Sequence, residues 1–168
     1  MDNSLDNNRE LTDKIKSFYN KNKIKIIIIS LSILLIIISI FLFNIFKEKE
    51  NRAIAEKYVQ AGLHLSSGEK NKAKNVYEEI INSKNKFYSI LALNEIVEKN
   101  LVKEKKEILE YFQKLEKINY SKEKLDLIKL KKALFLIKSG DKSTGENILK
   151  NLVKEKSTLE KISKQILE

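Results

Sequence analysis

The groups that could carry chemistry are few, and they start with a single histidine. A nucleophilic relay or a His-based metal centre needs an imidazole held beside its partners. The one His, His64, stands between Leu63 and Leu65 in a helical stretch, which points to a structural helix–helix contact rather than a base. The chain has no Cys, so thiol catalysis, disulfides and anchoring through a lipid-modified Cys are excluded. Acids such as Glu78-Glu79, or Glu104 with Glu107, sit among lysines on solvated faces, and Glu110 four residues before Lys114 is helix support. Gly140-Asp141-Lys142-Ser143 lacks the spacing of a phosphate-cradling loop. The expectation is therefore no enzyme, no metal or cofactor, and no small-molecule substrate.

What remains is recognition by surface. Two sets of residues fall on first helices of helix pairs: Tyr58, Gly62 and Leu65, then Leu127, Leu130, Leu134 and Ile137. Together they are candidates for a protein-binding groove that takes a partner's helix or an extended segment. Lys129, Lys131 and Lys132 would rim it and suit an unfolded or acidic chain. The alternative is that these residues bury against one another or under the last helix.

The elements that must position them are helices. From residue 50 onward the apolar spacing predicts helices near 50–67, 70–82, 86–99, 102–117, 122–138, 142–154 and 157–167, and no stretch alternates long enough for a strand. Ser121 is an expected N-cap, and Ser157 with Glu160 has the capping-box spacing. Two hairpins repeat one template. Ala61, Gly68, Ala73, Tyr77 and Ile80 recur as Ala133, Gly140, Gly145, Leu149 and Leu152, always 72 residues on. The small positions allow two antiparallel helices to approach, Gly ends the first helix, and the bulky pair fills the gap to the next hairpin. The stretch 86–117 is a degenerate middle copy, with Ala92 as its small residue, Asn100 in place of Gly, and Ile108, Phe112 and Leu115 as its stripe. The last helix, with Leu159, Ile162 and Ile166, has the pattern of a solenoid cap.

Ahead of these lies a different kind of segment. Ile26 to Phe46 spans 21 residues, 17 of them apolar, with no charge, Gly or Pro. A helix of that length matches the roughly 30 Å hydrocarbon core of a bilayer. The run is longer than a signal-peptide core of roughly 7–15 residues, and the small-x-small triplet Ala53-Ile54-Ala55 lies beyond a charged stretch, so an uncleaved anchor is expected. Ser32 and Ser39, seven apart, share one side of the helix. Residues 1–10 are polar and expected to be unstructured. From residue 11, Leu11, Ile15 and Phe18 form a short amphipathic face, with Tyr19 near the headgroups. Five lysines before the span against four basic groups just after it give a bias of a single charge toward a cytoplasmic N-terminus. The net charge is +10, but residues 47–168 carry 27 basic and 19 acidic groups interleaved, and the only arginines are Arg9 and Arg52. That is a weak general attraction to acidic surfaces, not a nucleic-acid footprint.

The small, Gly, small and bulky positions resemble the tetratricopeptide repeat, without its terminal Pro and with Ile80 where Ala is usual. The whole layout, from Leu11-x6-Phe18-Tyr19 to the last helix, resembles the YfgM-like ancillary subunit of the SecYEG translocon, a bacterial family. The resemblance implies an all-α chain in three parts: a basic cytoplasmic tail over 1–25, a transmembrane helix over 26–46, and a periplasmic tetratricopeptide-like solenoid with a capping helix over 47–168. It implies an inner-membrane, protein-binding scaffold whose partners are translocon subunits and periplasmic chaperones. The alternatives are an adaptor for cell-envelope or division enzymes and a structural tether that self-associates.

Overall fold

A computed structural model describes residues 3–168, apart from the side chains of residues 3–11, 13 and 15. Among the described residues the chain is all-helical, with no strand. The helices are α1 (Asn3–Ser66), α2 (Lys70–Asn82), α3 (Tyr88–Glu98), α4 (Lys105–Glu116), α5 (Lys122–Lys138), α6 (Lys142–Lys154) and α7 (Glu160–Leu167).

The first helix departs from the expected segmentation. Polar tail, apolar run and first hairpin helix form one uninterrupted helix of 64 residues. The cause is local. No Pro occurs, the first Gly is Gly62, and Lys47-Glu48-Lys49-Glu50 are good helix formers. Once the apolar run is helical, each further residue adds a hydrogen bond without a new nucleation cost. The same argument covers residues 3–10, which are helical where their polarity led us to expect no structure. The side chains of Leu11 and Ile15, read as part of an interfacial face, lie outside the described residues.

The chain divides into two compact units, residues 1–49 and 50–168. In the first, residues 27–46 are exposed throughout, and the helix is long and apolar enough to cross a membrane. Two of its serines are internally satisfied. Ser32 Oγ donates to the carbonyl of Ile28 at 2.9 Å and Ser39 Oγ to that of Leu35 at 2.8 Å, which removes the cost of an unpaired hydroxyl in hydrocarbon.

In the second unit the template residues are the packing residues. Ala61, Ala73, Ile80, Ala133, Leu149 and Leu152 have no exposed surface, and Tyr77 is 1% exposed. Each buried Leu or Ile here contributes roughly 1.5–3 kcal/mol relative to leaving it in water. Helix α2 packs on α3 and α4, α4 on α5, α5 on α6, and α6 on α7. At Gly145 a Cβ would lie 2.6 Å from Ile137 Cγ1 and 2.7 Å from the carbonyl oxygen of Ala133; α5 and α6 approach so closely there that no side chain fits. A main core runs from Ile54 to Ile128. A smaller one gathers Leu130, Ala133, Leu149 and Leu152 under Leu159, Ile166 and Leu167.

The stops of α1, α3 and α5 share one geometry. Gly68 and Gly140 take φ of +77° and +88°, and Asn100 takes 50°. In each case the left-handed residue's N–H and the next N–H turn back onto the helix. Glu69 reaches His64 O at 2.8 Å, Leu101 reaches Ile96 O at 3.0 Å, and Asp141 reaches Leu136 O at 2.9 Å. This paired motif satisfies two orphan carbonyls at once. Asn100 serves in the middle copy because Asn tolerates the left-handed region better than most residues.

Three helix starts fall two to three residues later than expected. Before α3, Asn85 Oδ1 accepts the N–H groups of Phe87 and Tyr88, both at 3.0 Å. Before α4, the irregular residue Val102 is buried. Before α7, Ser157 does not form the expected capping box. Its Oγ donates to Asp126 Oδ2 at 2.7 Å and accepts from the N–H of Leu159 at 3.2 Å. A carboxylate only 2% exposed demands donors, and Asp126 takes this hydroxyl, with Lys122 Nζ at 3.4 Å. Ser121 occupies the N-cap position of α5 in extended backbone but makes no side-chain cap bond. Helix α7 is also turned from its expected face. Leu159 and Ile166 pack inward, whereas Ile162 is 46% exposed and Ser163 is buried instead.

Candidate functional site

A depression of the second unit lies among α1, α2 and α3. Its volume is about 590 Å³, and it is lined by Tyr58, Gly62, Leu65 and Ser66 of α1, Lys70 and Tyr77 of α2, Glu95 of α3 and Lys99 just past its end. Tyr58, Gly62 and Leu65 are four and three residues apart, hence on one face of α1. Tyr58 sets its ring edge-on to Tyr77 with centroids 5.7 Å apart, and tilts against Tyr88 at 5.6 Å. Its hydroxyl lies 3.5 Å from Glu95 Oε1.

The electrostatics keep both hydroxyls protonated. Burial, then Glu95, raises the Tyr58 phenol, and burial with Glu95 pushes Tyr77 up to about 12. Glu95, Lys70 and Lys99 all line the cleft, so the lining offers both signs of charge beside aromatic faces. Nothing lies within 4 Å of where a Cβ at Gly62 would stand, so a visiting main chain has room to approach α1. The α1–α2 turn beside the cleft is braced by Glu69, whose Oε2 is 2.6 Å from His64 Nδ1 and whose Oε1 is 2.7 Å from Lys72 Nζ. These partners, Lys72 first, hold the Glu69 carboxyl below its usual range. His64 is thus structural, through the turn's carboxylate.

The second half of the expected groove does not join the first. Leu130 is 7% exposed and with Ile137 belongs to the smaller core. Leu127 is half-buried. Leu134 alone is open, at 42% exposure. It lines a separate depression of about 190 Å³ with Leu93, Val97, Phe112 and Phe135. The reason is that α5 buries residues on several faces, Ile128, Leu130, Ala133 and Leu136 among them, so its spacing could not tell an open face from a covered one. Two of the expected rim lysines are engaged, Lys129 with Glu155 at 3.5 Å and Lys132 with Glu116 at 3.0 Å; Lys131 lines the Leu134 depression.

Sequence reasoning missed Lys70, Tyr77, Glu95 and Lys99. Tyr77 was legible only as the bulky template residue. Glu95 stands three residues past Ala92, the small residue of the middle copy, and that spacing was a usable signal. A polar network also clasps α2 to α4. Lys74 Nζ reaches Glu107 at 2.9 Å and Glu78 at 3.3 Å, and the Tyr111 hydroxyl lies 2.7 Å from Glu78 and 2.6 Å from Glu107. Burial and these carboxylates raise the Tyr111 phenol, while Tyr111 and then Lys74 lower Glu107. It is a brace between the two helices. Among the described residues no group of three or more His, Asp or Glu is disposed to hold a metal ion.

No family model, no curated protein and no solved structure matches this chain.

Proposed function

We propose that this chain is a membrane-anchored protein-binding scaffold: α1 crosses the inner membrane at residues 26–46, and residues 47–168 form a tetratricopeptide-like stack of helix hairpins with α7 as its cap. The observation that carries the binding role is the tyrosine-lined cleft of Tyr58, Gly62, Leu65, Tyr77 and Glu95. Aromatic faces, one apolar side chain, a room-giving Gly and charges of both signs suit a peptide segment or helix of another protein. The repeat reading is supported by the buried template positions and by the helix stops at Gly68, Asn100 and Gly140. The chain is read as non-catalytic and free of nucleic-acid or small-molecule substrates.

Within that class the translocon-accessory reading is kept, with the N-terminus cytoplasmic and the helical unit periplasmic, linking channel subunits to chaperones. An affinity purification of the full chain in mild detergent tests it. Translocon subunits or periplasmic chaperones should copurify with the native chain and fall several-fold with Leu65→Asp. Recovery of envelope synthases instead would redirect the partner assignment, and recovery of the chain alone would favour a self-associating tether.

A further inference from the structure

One end of the second unit carries uncompensated charge around an exposed aromatic ring. The α2–α3 turn places Lys84 and Lys86 on the surface, with Phe87 58% exposed. Phe87 stands edge-on to Tyr88 at 5.0 Å. Beside this turn, Lys84, Lys114 and Lys117 surround a hollow of about 210 Å³ floored by Ile81 and Ile118. No carboxylate lines it, and none of these lysines makes an ion pair among the described residues. Neighbouring acids are committed elsewhere: Glu79 to Lys57 at 2.6 Å and Glu116 to Lys132 at 3.0 Å. Lys114 donates to Asn82 Oδ1 at 2.8 Å, which fixes its head at the rim. The negative ends of α2 and α4 account for a lysine each; they do not account for Phe87 in water.

Within this unit, Asn85 Nδ2 donates to Asn51 Oδ1 at 2.7 Å. Asn51 lies five residues past Phe46, the end of the apolar run, so chain length alone keeps it within about 18 Å of that run. We propose that Lys84, Phe87, Lys114 and Lys117 dock this end of the second unit on the anionic phosphate headgroups of the bilayer that holds the apolar helix. The lysines meet headgroup phosphates while the Phe87 ring enters the interface. The inference rests on reading residues 26–46 as a membrane span.

The chain contains no Trp, so Phe87→Trp introduces a single indole that can be excited apart from the tyrosines. The full chain with this change is reconstituted into phosphatidylcholine vesicles with or without phosphatidylglycerol, and with brominated lipids as quenchers. The expected result is blue-shifted emission quenched by brominated lipid, stronger with phosphatidylglycerol and weakened by salt. Because each lysine near an anionic surface strengthens attraction about fivefold, adding Lys84→Gln, Lys114→Gln and Lys117→Gln should lower the docked-to-free ratio about a hundredfold. A Leu134→Trp reporter should remain open to aqueous iodide in both lipids. Flotation of the same samples separates the two readings. A chain that fails to float overturns the span and the docking together. A chain that floats while the probe at position 87 stays iodide-accessible in both lipids overturns docking alone. Emission that is shifted but insensitive to brominated lipid means that protein, such as a second copy, covers Phe87, and it also overturns docking.

Discussion

Replacing Gly145 and Gly62 by Ala should move stability in opposite directions, although both are helical glycines. At Gly62 a Cβ meets nothing within 4 Å, so only the helix preference for Ala acts, worth a gain of about 1 kcal/mol. At Gly145 the new methyl would stand 2.6 Å from Ile137 Cγ1 and 2.7 Å from the Ala133 carbonyl oxygen. The second of these is backbone and cannot swing aside. Ordinary carbon contacts lie near 3.5–4.0 Å, so α5 and α6 must separate by roughly 1 Å. Overpacking of that kind costs about 1–3 kcal/mol, against the same gain in helix preference of about 1 kcal/mol. The two variants should therefore differ by roughly 1–3 kcal/mol, with Gly62→Ala the more stable. Urea unfolding of the full chain in mild detergent, followed by tyrosine fluorescence, reads this directly, since five of the six tyrosines lie in residues 50–168. Equal stabilisation by both changes would refute the close helix approach at Gly145, and with it the role given to the third template position.

Other consequences are more compact. Tyr77 is raised from its ordinary value near 10 to about 12 by burial. The unfolded chain therefore loses that proton first as pH rises, and stability should fall between about pH 10 and 12, by roughly 2–3 kcal/mol in all. Tyr58, Tyr111 and Tyr120 are raised too, so Tyr77→Phe should make that limb shallower by the Tyr77 share alone, and an unchanged limb would contradict the assignment. The Tyr120 hydroxyl is buried without a partner, so Tyr120→Phe should be neutral or stabilising by up to about 1 kcal/mol in the same unfolding assay; a clear loss would mean that the hydroxyl is satisfied. The native chain should stay with membranes through an alkaline carbonate wash, and release of a fragment starting near Ile54 or Glu56 would mean cleavage at the Ala53-Ile54-Ala55 triplet.

The residues that were legible in the sequence are those whose type admits one use. Gly68 and Gly140 mark left-handed stops, and Ala61, Ala73 and Ala133 mark close contacts, so α2, α5 and α6 fell where their spacing put them. Part of the candidate site was readable because Tyr58, Gly62 and Leu65 share one face of one helix. The rest was not, for two reasons. Helix α5 is apolar on several sides, so the fates of Leu130 and Leu134 are decided by which neighbour covers which face. Polar side chains also choose partners across the fold. Ser157 serves the buried Asp126 rather than its own helix, and Asn85 reaches Asn51 and its own loop. The continuity of α1 was hidden by composition, since a change from apolar to charged residues does not by itself end a helix.

The most direct test of the binding role is a photo-crosslinker placed at Leu65, inside the tyrosine-lined cleft, compared with the same probe at the exposed Lys154 of α6. In native membranes the probe at Leu65 should capture a discrete second protein, such as a channel subunit, a chaperone or a secreted chain, and the probe at Lys154 should capture far less. Adducts of the chain with itself alone, or equal capture at both positions, would contradict the scaffold reading and leave a self-associating tether in its place.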